Sequence, residues 1–175
     1  MSFISVNSLL FFIFILFFLF IVTPSVLCNK SSITNKWIYV IIFLGSEIMI
    51  KVVAALIMRD NKVLIARRST GDENVMGKWE FPGGKVEQGE DEAHAIEREI
   101  EEEFELKIKA NKFLINNVCS YPTKTVDLRL YDCEYISGDF KLHDHFEYKW
   151  VCKDELLSYD LAPADVPLAE YVIKM

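Results

Sequence analysis

Glu99, Glu102 and Glu103 stand at positions i, i+3 and i+4 of one acidic run. On a helix these positions fall within an arc of about 100°, so three carboxylates share one patch. Carboxylates that close repel one another unless cations neutralise them. Hard oxygen donors suit Mg²⁺, with Mn²⁺ as a substitute, and such ions bind through a few carboxylates together with substrate phosphates. Arg98 sits at the patch edge, one turn before Glu102. Taken alone, a run of this kind is more often a solvated helix face with i,i+4 pairs. The upstream turn Pro82-Gly83-Gly84 shifts that balance. Glycine lets backbone approach the patch closely, and a carbonyl there can ligate metal.

The elements that must carry these residues follow from periodicity. Asp91 to about Glu105 reads as a helix, with Ala93, Ile96, Ile100 and Phe104 as its apolar stripe. Lys51–Met58 and Lys62–Arg67 read as strands around the turn Arg59-Asp60-Asn61. Trp79-Glu80-Phe81 is short and extended, and Pro82-Gly83-Gly84 stops it. Lys107–Cys119, Thr125–Tyr135 and Tyr148–Cys152 read as further strands, Asp154–Tyr159 as a short helix and Leu168–Met175 as a final one. The fold class expected is α+β, a mixed sheet sandwiched between helices (αβα).

Composition divides the chain. Residues 1–48 carry only Lys30, Lys36 and Glu47 as charges, whereas residues 49–175 hold 17 Lys and Arg against 25 Asp and Glu. Ten of those acids lie between Glu87 and Glu105. An acidic domain argues against a nucleic-acid groove, which needs a basic stripe. It suits a small polyanion only if cations bridge the two. Leu9 to Val22 is an unbroken apolar run with no Lys or Arg before it, and Leu27-Cys28 makes a poor cleavage or lipidation site. Residues 1–48 are therefore expected to be an over-extended start or a membrane anchor, with 49–175 as the domain. Lys30 and Lys36 would leave an anchored domain in the cytosol. Cys28, Cys119, Cys133 and Cys152 show no metal-ligand spacing, and His94, His143 and His145 make no zinc pattern. Free thiols in a reducing, cytoplasmic setting are the expectation.

The spacing also resembles that of a known family. Gly84, five residues, Glu90, seven residues, then Arg98-Glu99-Ile100-Glu101-Glu102-Glu103-Phe104-Glu105-Leu106 is similar to the Nudix hydrolase signature, G-x5-E-x7-R-E-U-x-E-E-x-G-U, with U bulky and aliphatic. One fixed position departs: Glu105 stands where the family has Gly. Residues 79–87 look like the MutT-like branch of nucleotide-pool sanitising enzymes and Ala162–Pro167 like its CTP pyrophosphohydrolase members; the chain as a whole resembles CTP pyrophosphohydrolases and 8-oxo-dGTP diphosphatases. The resemblance covers 49–175. It implies metal ligation by the Gly83 carbonyl, Glu99, Glu102, Glu103 and Asp144, with Glu147 as fallback for Asp144. Glu99 or Glu102 would be the base, Arg98 would orient the glutamates and Glu90 would hold the loop. Arg68 would contact phosphate, Phe81, Gly84 and Lys85 would contact substrate, and Asp165 would read the base edge.

Asp165 equally reads as the N-cap of the last helix. Tyr121, Phe81 and Trp79 are as readily core residues as stacking platforms. The reaction implied is Mg²⁺-dependent cleavage of (deoxy)nucleoside triphosphates, CTP-like or oxidised, to monophosphate and pyrophosphate. The partner would be a small nucleotide, not a nucleic-acid polymer, and the protein a monomer or homodimer. A nucleoside-diphosphate-sugar or dinucleotide hydrolase, or a non-catalytic nucleotide-binding module, are the alternatives.

Overall fold

The computed structural model describes residues 49–71, 73–122 and 124–175. The N-terminal segment expected to be an over-extended start or an anchor, and Cys28 with it, lie outside the described residues. Among those described, no helix is long and apolar enough to cross a membrane.

Strand β1 (Met49–Arg59) organises the sheet. Its run Val53–Ile57 is buried at every position, as a strand covered on both faces must be. A two-residue turn, Asp60-Asn61 with both φ positive, joins it to β2 (Lys62–Arg68), as tight hairpins require. β3 (Trp79–Glu80) pairs with β2, and β4 (Gly83–Lys85) lies antiparallel on β1 at Val52–Ala54. Helix α1 (Glu92–Phe104) follows. The long hairpin β5 (Lys107–Tyr121) and β6 (Lys124–Ser137) runs beside it, with β6 parallel to β1 from Met49↔Thr125 to Ile57↔Cys133. β7 (His145–Cys152) returns to β2. A 3₁₀ turn (Lys153–Ser158) and α2 (Val166–Ile173) end the chain.

β1 alternates between two cores. Val53, Ala55 and Ile57 pack with Ala95, Ile96, Ile100 and Phe104 of α1. Ala54 and Leu56 pack with Leu156, Leu168, Ala169 and Val172 on the opposite face. The expected αβα sandwich is thus observed. Four local expectations change. The glycines expected to stop the chain form a strand, because β1 offers a backbone partner to Gly83 and Gly84. The last helix starts two residues early, at Val166, and the helix expected at Asp154–Tyr159 is a 3₁₀ turn. Ala95 is buried in place of Ala93, which is only half-buried. With Ala95 buried, the sheet-facing arc of α1 extends past Glu99 and Glu103, while Glu102 falls just beyond it.

Candidate active site

That helical phase decides how the glutamates are presented. The side chains of Glu99 and Glu103 are 15% and 17% exposed, that of Glu102 61%. Asp91 caps α1 by accepting from the Ala93 and His94 amides. At the other end Glu105 adopts the left-handed conformation, φ 55°, and its amide donates to the Glu101 carbonyl. The helix therefore ends as a glycine would end it, without the glycine.

Arg98 uses every donor it has. Its Nε and Nη2 grip Glu90 at 2.9 Å each, Nη1 donates to Glu99 at 2.8 Å and Glu102 at 3.1 Å, and Nη2 also reaches the Lys85 carbonyl at 3.0 Å. The planar fork can span four partners in this way, and an ammonium cannot. The Arg98 bonds, helped by the Glu87 amide, hold the Glu90 carboxyl down at about 2. Glu90 thus ties the loop before α1 to the helix itself.

Gly84 lies directly under Glu99, where a methyl group would overlap the carboxylate. Gly83 lies against the Val53 backbone, equally without room for a side chain. Both line a cleft of about 290 Å³ with Lys85, Glu99, Glu103 and Arg68. The same cleft is lined by Phe81, Tyr121, Ala162, Ala164 and Asp165, over Val52, Val126 and Leu128. Charged groups and an aromatic wall therefore share one opening. Trp79 is not part of it. It packs edge-on against Tyr159 at 5.4 Å, with Lys149 over its ring.

Arg67 and Arg68 point to opposite faces of β2. Arg67 pairs with Glu147 at 3.2 Å, with both side chains exposed. Arg68 donates to both Glu80 oxygens, at 2.9 and 2.7 Å. Asp144 anchors its loop through its carbonyl, which accepts from Ser69 Oγ at 2.7 Å. Its charge also reaches Glu103. Burial first, then Glu80 and Glu99, push the Glu103 carboxyl up to about 8. Its Oε2 is buried without a hydrogen-bond partner.

Asp165 does not cap the last helix through its side chain. Its Oδ1 instead accepts from the Phe81 amide at 2.9 Å, and burial raises its carboxyl above the ordinary range. Sequence reasoning missed Glu80 and His145. Glu80 is 7% exposed, and its Oε1 meets His145 Nε2 at 2.9 Å. An acid inside a strand as apolar as Trp79-Glu80-Phe81 was the available signal, since a buried charge needs a partner.

No three acidic, His or Cys side chains among the described residues already stand in metal-ligating geometry. The donor chemistry nevertheless fits a divalent cation. The acids are hard oxygen donors, Glu103 carries an orphaned buried oxygen, and its acidic neighbours leave a charge that a cation would relieve.

The NUDIX domain model matches residues 49–172. The chain belongs to the Nudix family, and it is a hydrolase of that family. A CTP pyrophosphohydrolase of Escherichia coli is 36% identical over 122 residues, 70% of this chain and 90% of that protein. A putative 8-oxo-dGTP diphosphatase of Mycobacterium tuberculosis is 37% identical over 117 residues, 65% and 81% of the two chains. The solution structure of the E. coli ORF135 protein superposes with a TM-score of 0.64 at 34% identity, covering 72% of this chain and 89% of that one. The crystal structure of a MutT protein from Methanosarcina mazei gives 0.66 at 29%, covering 74% and 96%. Nudix hydrolases use divalent metal and act on small nucleotides, which agrees with the chemistry of this cleft.

Proposed function

We propose that this Nudix hydrolase splits (deoxy)nucleoside triphosphates with CTP-like or oxidised bases into monophosphate and pyrophosphate, and so cleanses the nucleotide pool. The observation that carries the reading is one cleft lined by Glu99, Glu103 and Arg68 together with Phe81, Tyr121 and Asp165. Similarity to the E. coli CTP pyrophosphohydrolase and to the M. tuberculosis protein named a putative 8-oxo-dGTP diphosphatase supports it.

In this reading the Gly83 carbonyl, Glu99, Glu102, Glu103 and Asp144 hold Mg²⁺, with Mn²⁺ as a substitute. Bound there, the cations neutralise phosphate charge and lower the pKa of the attacking water. Glu99 or Glu102 accepts the proton of that water, and Arg98 orients both. Arg68 and Lys85 contact phosphate. Attack at the β-phosphorus breaks its bond to the bridging oxygen, which leaves with the monophosphate, and the water oxygen stays in pyrophosphate. Tyr121 stacks on the base, while Phe81, a buried core residue in the cleft lining, holds Asp165 through its backbone amide. With Oδ1 held by the Phe81 amide, Asp165 has Oδ2 for the base edge. Ionised, it accepts from an amino group such as cytosine N4; neutral, it also donates. The proposed setting is the cytoplasm, as a monomer or homodimer acting on free nucleotides.

The test is pyrophosphate release with Mg²⁺ across CTP, dCTP, 5-methyl-dCTP, 8-oxo-dGTP and 2-hydroxy-dATP. Turnover of the cytosine or of the oxidised nucleotides supports the reading, and none on any of the five overturns it. Glu102→Gln should lose most activity while the fold survives.

A further inference from the structure

Two buried side-chain polar atoms among the described residues have no hydrogen-bond partner: Glu103 Oε2 and His145 Nδ1. They face each other at 3.9 Å. That is about 1 Å too long for a hydrogen bond, and orphaned buried groups carry a free-energy cost that a native fold seldom leaves without a use.

The rest of His145 is fixed. Its side chain is 2% exposed, its Nε2 meets Glu80 at 2.9 Å, and its ring stacks on Phe104 at 4.9 Å and 29°. Glu80 is in turn held by both bonds from Arg68. The β2–β7 pairing slips between Arg67 and Arg68, so that Arg68 pairs with His145 while Arg67 pairs with Glu147. A bulge of this kind re-aims a side chain. The His143 amide donates to the Glu103 carbonyl at 3.1 Å, so the segment bearing His145 is docked to the helix bearing Glu103. Glu80 and Glu103 thus stand at the two ring nitrogens of one fixed side chain.

We propose that His145 is a positioning residue: anchored by Glu80 at Nε2, it holds the Glu103 carboxylate from Nδ1 and links the metal side of the cleft to Arg68. The inference rests on the reading of Glu103 as a metal ligand. Ligating carboxylates are themselves held by hydrogen bonds, and loss of such support weakens metal binding. The geometry separates the two ring contacts. Asn at 145 carries an amide near the Nδ1 position and keeps the Glu103 contact, whereas Gln carries it near Nε2 and keeps only the Glu80 contact.

Mn²⁺ binding to the full chain without nucleotide, followed by electron paramagnetic resonance of the free ion, tests this. We expect His145→Gln to weaken Mn²⁺ binding about tenfold and His145→Asn to keep it within about threefold. In the unmutated protein with ¹⁵N-labelled histidine, Mg²⁺ should shift one Nδ1 resonance, with saturation that follows metal binding. That measurement decides the matter even if a variant fails to fold. Equal affinities for wild type and His145→Gln, or no histidine shift with Mg²⁺ bound, would overturn the proposal. Glu99→Gln is the control for the reading beneath it. If Glu99→Gln weakens binding and His145→Gln does not, only the role of His145 falls. If the wild type binds no Mn²⁺, the metal site falls with it.

Discussion

Burial and the neighbouring Glu80 and Glu99 hold the Glu103 carboxyl up at about 8, and burial raises Asp165 in the same direction. Both groups bind a proton more tightly in the folded chain than in the unfolded one, so their contribution to stability runs opposite to that of an ordinary paired acid. For Glu103 it is complete below about 4.5, the ordinary carboxyl value, and is lost as the pH rises through about 8. Metal-free protein should therefore show a falling unfolding midpoint across that window in thermal melts, and Mg²⁺, which binds the ionised form, should reverse the fall. Asp165 admits a second residue-level test. Asp165→Ala strips the Phe81 amide of its acceptor and should cost about 1–3 kcal/mol in urea unfolding. Asp165→Asn keeps an Oδ1 acceptor there, so its stability should stay within about 1 kcal/mol of wild type while the preference among bases changes.

The helix α1 was legible in the sequence because its information is local: apolar residues at helical spacing and the glutamates between them, although Asp91, read as its first residue, is its cap. The Glu80–His145 pair was not legible, because strand pairing and a register slip bring together residues 65 apart in sequence. Asp165 was read equally as a cap and as a base reader; the distant Phe81 amide takes its carboxylate instead of the helix start.

The family departure at Glu105 is also settled at the scale of the element. Left-handed backbone costs an ordinary residue about 1–2 kcal/mol. In partial return, its carboxylate pairs with Lys141 Nζ at 2.6 Å and His143 Nε2 at 3.2 Å. Such exposed pairs are screened by solvent and contribute little. Glu105→Gly should consequently be more stable than Glu105→Ala by about 1 kcal/mol in urea unfolding. Gly84→Ala should do the reverse of a benign change. The added methyl displaces the Glu99 carboxylate, so turnover should fall by at least tenfold with the unfolding transition still cooperative.

At the scale of the molecule, β1 is the common wall of both cores and of the cleft. Its alternate residues feed α1 on one face and α2 on the other, and its edge seats Gly83 and Gly84 beneath the helix glutamates. The αβα order could be read from sequence because each element carries its own periodicity. The sheet order could not, since the parallel pairing of β1 with β6 joins distant segments. This frame explains how one cleft gathers charged side chains from β2, β4 and α1 with lining from β5 and the turn before α2.

The central claim is that this cleft cleaves a nucleoside triphosphate between its α and β phosphates with divalent metal. Identification of the products from CTP or 8-oxo-dGTP, with and without Mg²⁺, tests it most directly. We expect monophosphate and pyrophosphate in equal amounts, only with metal, and almost none from Glu99→Gln. Release of inorganic phosphate and a nucleoside diphosphate, or undiminished turnover after chelation of the metal, would contradict the account.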